Sequence, residues 1–248
     1  GDKQCGSALR ASLKDPERNL ELYGHIEKYA ERGSGDYDRW DGIELVSFHA
    51  NARSRLSSLL GKLITDPTDF YPMLTRPTKT NLEHWLWRAK QEDRPIPIFA
   101  APDAHQNMGI LGMQTDPYEF IFKMVSTHIW IDKDESLNQE SIFRAIKKGR
   151  TYIAFDYLGD PTGFQFHAVV PGTKFYTGDT VSQPIYIVVR VPPGECKVKF
   201  FCDNQPVNRG AFFSEGRDWI VDPQPGFWRV EIWRDGKPWI ISGQILVK

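Results

Sequence analysis

The sequence predicts an α/β domain over residues 1–160 followed by an all-β sandwich over residues 161–248. Three observations predict this division. Before residue 160, helical periodicities alternate with short apolar runs, the pattern of βα units. After it come only alternating, aromatic-rich segments, spaced roughly eight to twelve residues apart between Pro and Gly turns. The chain has 248 residues, 40% hydrophobic and 25% charged, which suffices for one large or two modest domains.

Taken in order, Asp15-Pro16-Glu17 reads as a helix start, with an N-cap aspartate, proline at the first helical position and an acid in the first turn. Leu20, Tyr23, Ile26, Tyr29 and Ala30 then share one helical face. After Gly33-Ser34-Gly35-Asp36, the apolar segment 42–48 predicts a parallel strand. Segment 54–64 is amphipathic and helical, stopped by Asp66-Pro67. A second helix spans 81–91, with Leu82, Trp85, Leu86 and Ala89 on one side, and it leads into a buried strand at 95–100. A strand at 127–131, a helix at 136–148 capped by Gly149, and an extended run at 150–156 complete the first part.

Beyond Gly163, strands are expected at 163–169, 184–191, 197–202, 219–221, 226–233 and 239–247, forming a β-sandwich of immunoglobulin-like size. Phe227, Arg229 and Glu231 alternate with Trp228, Val230 and Ile232, so one face is expected in the core and the other in water.

A formal net charge of −1 provides no electrostatic pull toward nucleic acid or an anionic membrane. No apolar run approaches the roughly 20 residues of a spanning helix, and the first residues lack the core of a signal peptide, so the chain is expected to be soluble, with no targeting segment and no compartment indicated. Three cysteines are present. Cys196 and Cys202 lie in one extended run, too far apart at about 3.3 Å per residue to bridge unless the chain folds back.

The most informative stretch is Phe99-Ala100-Ala101-Pro102-Asp103-Ala104-His105, an Asp-x-His pair just beyond a buried strand. Ligands gather at the carboxyl ends of such strands, and a carboxylate and an imidazole two residues apart can both turn toward one divalent cation. Asp103 reads equally as an N-cap and His105 as a hydrogen-bonded loop residue. His49, just past the 42–48 strand, is a weaker third ligand, or a solvent-facing or capping histidine. Arg53 and Arg55 offer bidentate grips for a phosphate, or a solvated helix face. Arg150, after the Gly149 cap, is a substrate-binding candidate or an interdomain salt bridge. His128, inside an apolar strand, reads most simply as a satisfied core residue.

Four pieces in order, Asp103-Ala104-His105, then the run from Ala145 to Asp156, then Gly226-Phe227-Trp228-Arg229-Val230-Glu231-Ile232, then Pro238-Trp239-Ile240-Ile241-Ser242, resemble the PHP family of metal-dependent phosphoesterases, in its subgroup with a C-terminal sandwich. The resemblance spans most of residues 40–248. It implies a distorted β/α barrel whose strand ends hold divalent metals, commonly Zn, Mn or Fe, and a metal-activated hydroxide that attacks a small-molecule phosphoester. Asp103 and His105 match the family's last ligand motif. Glu44 lies on a strand that flanks the family site. The family's opening His-x-His pair has no counterpart, since all six histidines are isolated. The chain is therefore expected to be the C-terminal part of a longer polypeptide, or a branch with a partial PHP-like barrel and an incomplete metal site.

A second reading is a non-catalytic binding protein. In it Trp219, Trp228, Trp233 and Trp239 form a platform for a glycan or partner protein, against the alternative that they are core or interface residues. A third is a homodimer in which two copies complete each other's barrel. Gly-x-Ser-x-Gly, phosphate-cradling glycine loops and Cys-x-x-Cys are missing from the sequence, so metal-assisted hydrolysis is the one chemistry it suggests.

Overall fold

The structure, a computed structural model, describes residues 20–24, 40–48, 51, 76–104, 109–110, 113–114, 117–207, 210–213 and 218–248. The expected helices at 15–30 and 54–64 fall largely or wholly outside these residues. Within them the fold is rich in β-sheet, with several sheets and three α-helices.

The first layer is a parallel sheet of three strands in sequence order, β1 (Leu22–Tyr23), β2 (Gly42–Ser47) and β3 (Ile98–Ala101). β2 is buried along almost its whole length, as a parallel strand covered on both faces must be. Tyr23, read from its periodicity as part of one face of a helix, lies instead on β1, where Leu22 and Tyr23 pair with Gly42 and Ile43. Among the described residues these three strands form an open sheet rather than a closed barrel.

Helix α1 (Lys79–Glu92) packs on β2. Thr78 caps it by accepting from the Asn81 N–H at 3.1 Å. Asn81 in turn donates to Leu45 O at 3.1 Å, and the buried Trp85 indole donates to Ile96 O at 2.9 Å. Both of these side-chain donors carried into the core thus find a backbone acceptor. Asp93, at φ 50°, ends the helix and turns the chain toward β3.

A short hairpin, β4 (Gly109–Ile110) and β5 (Met113–Gln114), and one turn of helix, α2 (Tyr118–Ile121), lead to β6 (Ser126–Ile129). Helix α3 (Gln139–Lys147) opens with a capping box between Asn138 and Ser141, three residues later than its sequence predicts, and ends at Gly149, φ 84°, where the sequence places the cap. It delivers the chain into β7 (Thr151–Ala154).

Eleven further strands follow: β8 (Gln165–Val170), β9 (Thr173–Tyr176), β10 (Thr180–Val181), β11 (Tyr186–Arg190), β12 (Lys197–Cys202), β13 (Gln205–Val207), β14 (Gly210–Phe213), β15 (Asp218–Val221), β16 (Gly226–Arg234), β17 (Lys237–Ser242) and β18 (Ile245–Val247). They form two sheets. One has five strands in the order β14-β15-β11-β8-β9. The other has eight, β10-β18-β16-β17-β7-β6 with β12 and β13 attached to β16. β6 and β7, which precede residue 160, therefore belong to the same sheet as the C-terminal strands, and the sheet runs unbroken across that position.

Alternation along the strands gives the eight-stranded sheet two buried faces. Trp228, Val230, Ile232, Ile240, Tyr152 and Ala154 face the five-stranded sheet and pack with Phe166, Ile187 and Val189. Phe227, Ile241, Leu246 and Ile153 face the other way and share a core with β2, β3 and α1. The face expected in water is thus covered: Arg229 is 2% exposed and Glu231 6%. Cys196 and Cys202 are both free thiols. Among the described residues, no helix is long and apolar enough to cross a membrane.

Candidate functional site

Because β1, β2 and β3 are parallel, their carboxyl ends open on one edge. The last pair between β2 and β3 is Ser47 with Ala101. Two residues beyond that pair come His49 on one chain segment and Asp103 on the other. Asp103 leaves β3 after Pro102 with a left-handed backbone, φ 48°, which turns the chain sharply at this point. His49, His105 and Arg53 lie outside the described residues. Among the described residues no group of three or more His, Cys, Asp and Glu side chains is arranged to hold a metal.

The free edge of β3 meets β6 and β7 through threonine side chains. Ile98 N donates to Thr151 Oγ1 at 3.1 Å, and Ala100 N donates to Thr127 Oγ1 at 3.0 Å. Thr127 stands opposite Ile153 in the β6–β7 ladder. So β7 runs alongside β3 in the same direction, and its end delivers Phe155 and Asp156 on the side where β3 delivers Pro102 and Asp103.

Asp156 belongs to a polar cluster that local sequence does not announce. Ser126 Oγ donates to Asp156 Oδ2 at 2.6 Å and lies 2.9 Å from His128 Nε2. With the hydroxyl proton on Asp156, the second bond runs from His128 Nε2–H to Oγ, which fixes the tautomer. The hydroxyl therefore sits between imidazole and carboxylate. A nucleophile relay needs the imidazole in the middle, so these three residue types do not activate Ser126 for attack. The His128 ring stacks on Tyr152 at 4.7 Å. Burial, then Asp156 and Asp160, push the Tyr152 phenol up to about 12, and it stays neutral. His128, expected in the core, is 34% exposed at its side chain and points into this cluster. The signal was present: Ser126 and His128 are two apart on a strand and so share a face.

Arg150 stands at the opposite end of β3. Gly149 packs against Pro95, ahead of the strand, and Thr151 is level with Ile98. The Arg150 guanidinium lies 3.2 Å from Asp132 and 3.4 Å from Asp179, over the Tyr176 ring. Its side chain is buried, and these contacts describe an ion-pair anchor between the α3–β7 junction and the β9–β10 loop. Gly178 permits the approach, since a Cβ there would fall 2.0 Å from Lys148 O.

The four sandwich tryptophans separate. Trp228 and Trp239 are fully buried, each donating to a backbone carbonyl, Gln224 O at 2.7 Å and Gly159 O at 3.0 Å. Trp219 packs half-buried against the same core. Trp233 lines a groove between α1 and the sheet.

Comparison with known proteins finds no match to this chain among family models, curated proteins or solved structures.

Proposed function

We propose that the chain is a metal-dependent phosphoester hydrolase of PHP type, or the C-terminal part or a degenerate member of one, with a partial β/α barrel ahead of an immunoglobulin-like sandwich. The observation that supports this reading is the register at the carboxyl edge of the parallel sheet, where His49 and Asp103 each follow the pair Ser47–Ala101 by two residues. His105 follows Asp103 by two more.

The donor set, one carboxylate and two imidazoles from adjacent strand ends, fits Zn or Mn. Asp103 would supply the anionic ligand, and His49 and His105 neutral nitrogens. A divalent cation bound there supplies Lewis-acid activation of water and neutralises charge on the phosphoryl oxygens. Arg53, on the segment that follows His49, is the candidate to grip a phosphate oxygen through its planar fork. Arg150 already has Asp132 and Asp179 as partners. Both imidazoles must be neutral to bind, so uptake weakens as pH falls through the ordinary histidine range.

The test is Mn or Zn titration of the purified chain by calorimetry, with metal content measured after dialysis and hydrolysis of p-nitrophenyl phosphate followed in parallel. Saturable uptake that is lost in both Asp103→Ala and His105→Ala, with circular dichroism unchanged, is the expected result. A wild-type chain that retains no metal after dialysis overturns the reading.

A further inference from the structure

A groove of about 620 Å³ lies between α1 and the outer face of β12 and β16. That volume falls within the range of small-molecule sites. Leu82, Leu86 and Trp87 form the helix wall, and Phe201, Trp233 and Pro238 the sheet wall. Trp87 is 46% exposed, so its indole stands open to an incoming ligand.

Buried charge lies along this apolar slot. The Arg229 guanidinium sits 3.9 Å above the Phe201 ring, with Nε donating to Asn204 Oδ1 at 3.1 Å and Nη1 to Glu231 Oε1. Glu231 Oε2 accepts from Trp233 Nε1 at 2.9 Å. An arginine carries five N–H donors, and among the described residues no acceptor takes those on Arg229 Nη2. Asn204 is held in turn by its bond to Leu82 O at 2.8 Å, which ties the sheet side of the groove to the helix side.

Two more cations stand on the same indole. Arg76 lies 4.9 Å from the Trp233 ring and gives Nη2 to Gly236 O at 3.0 Å, and the Lys199 ammonium lies 3.3 Å from that ring. Burial holds the Lys199 ammonium below the usual lysine range; Glu231 opposes that shift, while Arg76 and Lys197 add to it. The other charges of the groove close on themselves, Lys90 with Asp203 at 2.6 Å and Lys79 with Glu83 at 3.4 Å. Around Trp233, then, the cations Arg76, Lys197, Lys199 and Arg229 outnumber the one carboxylate of Glu231.

We propose that this groove binds an organic monocarboxylate with a flat apolar body. The carboxylate takes the Arg229 Nη2 hydrogens and the outer donors of Arg76, whose planar forks match its two oxygens. The body fills the slot between Trp87 and the Phe201–Trp233 wall, where aromatic side chains contribute most of the contact energy. Inorganic phosphate has no apolar body to fill the slot between Trp87, Phe201 and Trp233, so the aromatic walls favour the organic acid over it. The site is independent of the metal chemistry proposed above, because it uses none of Asp103, His105 and His49.

The experiment is isothermal titration of the full chain with 1-naphthoate, neutral 1-naphthamide and inorganic phosphate. Saturable one-to-one binding of naphthoate is expected, about tenfold tighter than the amide, with phosphate not competing. Trp87→Ala, at an exposed position, should weaken both aromatic ligands. Arg76→Ala should weaken naphthoate alone. The pair Arg229→Met and Glu231→Leu removes both buried charges together, a change that folded proteins often accept, and should reduce the preference for acid over amide, with Arg76 still in place. No saturable naphthoate binding, equal affinity for acid and amide, or unchanged affinity in Arg76→Ala with the double variant would each overturn the proposal.

Discussion

His167 and His128 show the same side chain in two opposite settings. His167 sits on β8 at 4% exposure, and among the described residues its Nδ1 has no hydrogen-bond partner. Burial, reinforced by Lys174, lowers its pKa to about 4, so it folds neutral. The sign follows from proton counting. Between its free value near 6.5 and about 4 the unfolded chain binds a proton that the folded chain does not, so stability falls as pH drops through that window and levels off below it. The loss should approach roughly 3 kcal/mol, read as a falling midpoint in urea melts from pH 7 to pH 4. His167→Leu should flatten that slope; an unchanged slope would assign the acid sensitivity to other groups. His128, by contrast, is half-exposed and tied to Ser126. The Asp103-x-His105 pair was legible because its members are near in sequence. The partnership of Ser126 with Asp156 was not, because it spans 30 residues and exists only once β6 and β7 pair.

Most strands and two helices could be read from periodicity. α1, β2, β12 and β16 fall within a few residues of their expected bounds, since each carries the apolar period of its own geometry. β1 could not, because two residues carry no period and only the pairing with β2 makes them a strand. The run 239–247 divides into β17 and β18 because Gly243 donates to Thr151 O at 3.0 Å, where a Cβ would lie 2.7 Å from that oxygen. The junction of β3 with β6 and β7 is a contact of the same kind, made by side chains whose partners lie far off in sequence. Thr151 is fully buried, and its hydroxyl accepts the N–H of Ile98. Thr151→Val keeps the shape and orphans that N–H, so it should cost about 1–3 kcal/mol in chemical denaturation, whereas Thr151→Ser should recover most of the loss. Equal stability of the valine variant and the wild type would show that the bond contributes nothing net.

The eight-stranded sheet is the wall common to both cores. Tyr152 and Ala154 of β7 pack with the five-stranded sheet, and Ile153 and Phe155 pack with β2, β3 and α1. A chain cut at residue 160 loses β6 and β7 and bares β17 along the edge that β7 had paired. Residues 161–248 expressed alone should therefore give poorly dispersed amide spectra, while 117–248 should give a folded one. A well-dispersed spectrum from 161–248 would mean that the sandwich needs no strand from the first part. By itself the sequence determined the change from mixed to all-β patterning, the course of most strands and the Asp-x-His motif, because each is written in neighbouring residues or in one apolar period. Only the tertiary structure decided that β6 and β7 join the C-terminal sheet, that Arg229 and Glu231 lie under α1, and that Arg150 stands at the far end of β3 from Asp103. A strand's pattern tells which faces are apolar, but which element covers a face is settled by the packing that leaves the fewest buried groups unpaired.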